Sequence, residues 1–100
     1  MTPDQRFFFD LTGYLHVSNV LEKDELEQAQ EAADRYINTP AAELPSGFGA
    51  DLEREDLTTY KHGFAFDEAL RNLIIHQKTW PIVLELTNDR PRFTGGTLMR

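Results

Sequence analysis

One hundred residues with 17 acidic and 10 basic side chains carry a formal charge of −7. The cations are scattered, which argues against a nucleic-acid or anionic-membrane partner, since both need clustered Lys and Arg. The length suits one small core rather than two independent domains, 40% hydrophobic and 27% charged residues mark a globular chain, and the lack of cysteine excludes a disulfide framework and thiolate chemistry.

The first element is a helix. Thr2-Pro3-Asp4-Gln5 forms a capping box with Pro in the first turn, and Gly13 is a natural stop. Phe7, Phe8, Phe9 and Leu11 cannot all share one face, so this helix meets a second surface in this chain or another. The opening MTPDQRFFFD has neither a basic flank nor a long apolar run. It does not read as a secretory signal. No stretch approaches bilayer length, and the expected setting is cytoplasmic.

Tyr14-Leu15-His16-Val17 alternates around β-formers and predicts a strand. From about Lys23 to Ile37 the spacing of Leu26, Ala29, Ala33, Tyr36 and Ile37 predicts an amphipathic helix. Asp24 and Glu25 lie in its first turn, and Glu31 stands four residues before Arg35. Residues 38–56, with two Pro and two Gly, read as one long loop. LTTYKHGFAF (57–66) begins as a β-like run. Asp67 then caps a helix from Glu68 to about Gln77, with Ala69, Leu70, Leu73 and Ile74 inward. Thr79 opens a last helix whose apolar side is Trp80, Val83, Leu84 and Leu86 and whose first turn tolerates Pro81. Asn88-Asp89-Arg90-Pro91 ends it. FTGGTLMR (93–100) reads as a strand in which Gly95-Gly96 allows close backbone approach. The reading is α+β, with neither repeats nor low-complexity tracts.

Chemistry-bearing residues form no complete constellation. His16, His62 and His76 lack metal-ligand spacing and read as structural. His76 is expected at a helix end, and His62, before a Gly, is the best placed of the three if a metal binds. The carboxylates Asp51, Glu53, Glu55 and Asp56 read as solvated surface. Neither Ser18 nor Ser46 lies in a nucleophile motif. Gly47-Phe48-Gly49 begins a dinucleotide fingerprint that Leu52 breaks. Trp80 reads as core. Phe93, Thr97, Met99 and Arg100, on the last strand, are the candidates for lining a cavity, where Arg92 and Arg100 could meet a carboxylate ligand.

The order of these pieces resembles the opening of the phytanoyl-CoA dioxygenase family. The resemblance rests on Gly13-Tyr14, the strand Leu15 to Val17, Leu21 before the helix from Lys23, LIIHQKTWPIVLELTND (73–89) with its His and Pro-Ile, and RPRFTGGTLMR (90–100). It covers nearly the whole chain outside the 38–56 loop. It implies the helix-rich N-terminal part of a cupin-like double-stranded β-helix, or jelly roll, with the barrel incomplete within residues 1–100. For a full-length parent it implies Fe(II), held by two His and one carboxylate, and 2-oxoglutarate. That parent would hydroxylate a small organic substrate. The family's His-x-Asp or His-x-Glu, its last His and its 2-oxoglutarate-binding Arg have no counterpart in this sequence, so no ligand is assigned. The expectation is an N-terminal portion of such an oxygenase, inactive alone, with self-association through an unpaired strand edge. The alternative is a small non-enzymatic binding module using the Phe-rich helix and the amphipathic helix.

Overall fold

A computed structural model describes residues 1–100. Helix α1 spans Pro3–Thr12. Thr2 Oγ1 accepts the Gln5 N–H at 3.1 Å, while the Gln5 side chain accepts the Thr2 N–H at 2.9 Å. Gly13 ends the helix at φ 81°, a left-handed conformation that favours glycine. Helix α2 spans Lys23–Asn38, and the Glu22 N–H at its start donates to the Glu25 carboxylate at 3.0 Å. A 3₁₀ turn, Ala41–Glu43, leads to strands β1 (Gly49–Arg54) and β2 (Leu57–Lys61). Two one-turn helices follow, α3 (Gly63–Phe66) and α4 (Glu68–Arg71), then α5 (Trp80–Leu86) and a two-residue strand β3 (Leu98–Met99).

The fold is thus mixed, α+β, with one three-stranded antiparallel sheet in the order β1-β2-β3. Four elements differ from those expected. Tyr14–Val17 is not a strand. Its alternation persists as half-buried Leu15 and Val17 between exposed Tyr14 and His16, but no strand lies beside it to complete a ladder. The 38–56 segment is not all loop. Ala50 to Arg54 pairs with Tyr60 to Leu57 across a tight turn, with a register irregularity between Ala50 and Leu52. The helix from Glu68 stops at Arg71 and gives way to turns. The last strand shrinks from eight residues to Leu98–Met99, because Gly95 at φ 150° and the run before it do not pair.

The core sits where α2 crosses α3 and α4. Ala29, Ala32 and Leu70 are buried, with Ala33, Phe66 and Ala69 against them. Small side chains on α2 let the one-turn helices approach closely. The inward stripe is rotated from the expected one: Ala32 is buried and Leu26 is exposed. Tyr36 is the one fully buried large side chain. Its ring contacts Phe66, Tyr60 and Phe48 at centroid distances of 4.7, 5.5 and 5.9 Å. Its hydroxyl donates to the Lys61 carbonyl and accepts the Gly49 N–H at 2.9 Å, tying α2 to the end of the hairpin where β1 starts and β2 finishes.

Only six residues are buried. The accessible surface is 7625 Å², whereas a compact monomer of 11.5 kDa exposes about 5,800 Å². The radius of gyration is 16.0 Å, against about 13 Å for a compact domain of this length. Large apolar side chains stand in it: Phe7 is 71% and Leu11 72% exposed on α1. Phe8 meets the Tyr14 ring edge-on at 5.4 Å, but nothing covers Phe7 and Leu11. No helix is long and apolar enough to cross a membrane.

Candidate functional site

The most polar concavity is a cleft of about 400 Å³ between α2 and α4, lined by Gln28, Glu31, Arg35, Asp67, Glu68 and Asn72 among others. Asp67 does two things there. One oxygen accepts the Ala69 N–H at 2.8 Å, the helix cap expected from sequence, and the other takes the Arg35 guanidinium at 2.5 Å. Arg35 therefore leaves its expected partner Glu31, and its guanidinium lies 5.6 Å from the centroid of the Phe66 ring. Its charge is neutralised within the fold, which leaves little to recognise an anion.

The cleft continues toward Glu25 and His76, sharing Gln28 and Asn72. His76 is not at a helix end but buried in the turns after α4. Its Nε2 lies 2.7 Å from the Glu25 carboxylate, and its Nδ1 accepts the Lys78 N–H at 3.1 Å. The two ring nitrogens are thus both placed, Nδ1 accepting from the Lys78 backbone and Nε2 facing the Glu25 carboxylate. The Glu25 carboxyl is held below its usual value first by the Glu22 backbone N–H. Partial burial opposes the shift, and His76 and Lys78 add to it. Lys78 also donates to the Asn19 carbonyl and to Glu22, at 3.2 and 3.1 Å. Glu22, Glu25, His76 and Lys78 thus latch the start of α2 to the segment before α5. Both His76 nitrogens are engaged, so the ring has no free nitrogen with which to act as a base on a bound ligand.

An apolar groove of about 380 Å³ lies between α5 and the 91–93 segment, lined by Ile74, Ile75, Trp80, Val83, Pro91, Arg92 and Phe93. Trp80 is half-buried at this groove rather than in a closed core. A smaller cleft of about 160 Å³ is lined by Gly63, Phe64, Leu70, Leu73 and Gly96 to Leu98.

The four cavity candidates do not converge. Phe93 lines the apolar groove and packs edge-on to Phe64 at 4.7 Å. Thr97 lines the smaller cleft. Met99 and Arg100 line neither; Met99 is 65% exposed, and Arg100 exchanges two backbone hydrogen bonds with Thr58. His16 is exposed in an irregular segment. His62 is exposed at φ 54°, its ring against Phe48 and Phe64. No three His, Asp or Glu side chains gather as a metal would require. The residues of this chain do not fit an iron centre.

Sequence reasoning missed the Glu25–His76 pair, the Arg35–Asp67 pair and the Tyr36 bridge. Their partners are 51, 32 and 25 residues apart, and no local pattern signals them. The chain matches no family model, no curated protein and no solved structure.

Proposed function

We propose that these residues are a scaffold portion of a phytanoyl-CoA dioxygenase-like, Fe(II)- and 2-oxoglutarate-dependent oxygenase acting on a small organic substrate. Their helices and short sheet buttress a jelly-roll barrel whose catalytic residues lie outside them. The oxygenase part of this reading rests on the sequence resemblance, and its scaffold part on the surplus of roughly 1,800 Å² of accessible surface over a compact monomer of this mass, with only six residues buried. A helical layer and a three-stranded sheet left this open need further structure laid against them. The cytoplasmic setting expected from the sequence is part of the same proposal.

A second reading, a non-enzymatic docking module, is favoured by the exposed Phe7 and Leu11 on α1. The coding frame beyond the Arg100 codon separates the two. The oxygenase reading expects His-x-Asp or His-x-Glu, followed by a further His and an Arg. A continuing frame without them, or a stop codon, overturns it in favour of the docking module.

A further inference from the structure

The sheet has two edges, and they differ. The β1 edge is guarded: its ladder is irregular between Ala50 and Leu52, and residues 50–56 are all exposed. It carries Asp51, Glu53, Glu55 and Asp56 against the single cation Arg54, which pairs with Asp56 at 3.9 Å. Irregular pairing and charge are how natural sheets blunt an edge.

The β3 edge is regularly paired, and the charge beside it is a single cation, Arg100. Arg100 and Thr58 exchange both backbone hydrogen bonds at 2.9 Å, and Met99 stands opposite Thr59. Backbone groups alternate sides along an antiparallel strand, so the Met99 N–H and C=O point away from β2 to the open side. The strand is held in place by close packing: a Cβ on Gly63 would lie 3.1 Å from Leu98 Cβ and 3.2 Å from its backbone nitrogen. Arg100 stands at this edge, at the end of a segment whose charge is opposite to that of the rest of the chain. Residues 90–100 hold Arg90, Arg92 and Arg100 and not one acid, and none of the three arginines is in an ion pair.

We infer that the open edge of β3 is a β-augmentation site for an acidic, extended segment of a partner protein. Main-chain hydrogen bonds to Met99 supply the attachment, and carboxylates facing Arg100 supply the selectivity. This goes beyond the scaffold reading: the strand that joins at this edge belongs to another protein and not to the barrel.

The probes are two blocked seven-residue peptides, one alternating valine and glutamate, the other valine and lysine. The readout is amide exchange of the full chain, residue by residue. The glutamate peptide is expected to slow exchange at Met99 and to bind less well as salt rises, while the lysine peptide protects it less. Arg100→Glu, at an exposed position, is expected to weaken the acidic peptide by roughly 1.5- to fivefold for each charge contact reversed, and to strengthen the basic one. Equal protection by both peptides, protection of β1 instead of Met99, or no protection would overturn the inference. So would Met99 protection that rises with protein concentration alone, which would make a second copy the occupant. If the peptides fail while the coding frame supplies the iron ligands, only the edge assignment falls. If the acidic peptide binds and the frame lacks them, only the oxygenase reading falls.

Discussion

Tyr36→Phe isolates what holds α2 to the hairpin. The substitution keeps the ring and its packing on Phe48, Tyr60 and Phe66, so no cavity forms. It removes one oxygen, which donates to the Lys61 carbonyl and accepts the Gly49 N–H. Those two groups face each other at the open end of the β1–β2 ladder. Losing one partner of a buried polar group costs roughly 1–3 kcal/mol. Both groups here are only partly buried, so water can restore some of the loss, and about 2 kcal/mol is expected for the pair. That is a large fraction of the stability of a domain this size. Urea unfolding followed by far-ultraviolet circular dichroism reads the loss as a lower midpoint at unchanged slope. Amide exchange reads it locally, as faster exchange at Gly49. A variant within about 0.5 kcal/mol of the parent, the range of an ordinary surface change, with Gly49 exchange unaltered, would refute the bridge.

Three further outcomes are expected. Gly63→Ala drives a methyl group into the Leu98 backbone, which cannot yield as a flexible side chain would; it should cost about 1–3 kcal/mol and speed exchange of the Arg100 and Thr58 amides, and unchanged exchange there would contradict the packing. Asp67→Ala removes the cap on Ala69 and the partner of half-exposed Arg35. About 1 kcal/mol from the cap and under about 1 kcal/mol from the ion pair should be lost in urea, with the ion-pair share falling as salt is added. Glu25 has a folded-state value depressed below 4.5, so its contribution is fully present above that pH and is lost as pH falls through the lower folded value. Glu25→Gln should therefore flatten the acid limb of the stability profile below about pH 4.5, and an unchanged limb would dismiss the role of Glu25.

What the sequence revealed was local. Thr2, Gln5 and Gly13 act within one helical turn, and α1 lies between them as expected. The long helix was legible to within a residue, Lys23–Asn38 against an expected end at Ile37, because its burial repeats every three to four residues. Asp67 caps as read. Strand membership was legible for LTTYK and in part for the last strand, but not elsewhere, because a strand exists only with a partner. Tyr14–Val17 has the composition of a strand and no neighbour, while Gly49–Arg54, GADLER, has the composition of a loop and pairs with LTTYK. His76 shows the same limit at the side-chain level. Its position suggested a helix end, but its environment is set by Glu25, 51 residues earlier.

The central claim is that these hundred residues leave their core open. Small-angle X-ray scattering on the dilute chain tests it most directly, with forward scattering confirming the monomer mass. The account predicts a radius of gyration near 16.0 Å, together with an elongated particle. A monomer near about 13 Å, the value for a closed domain of this length, would mean that α1 and the groove beside Trp80 fold back to complete the core. The case for structure joining from outside would then be lost.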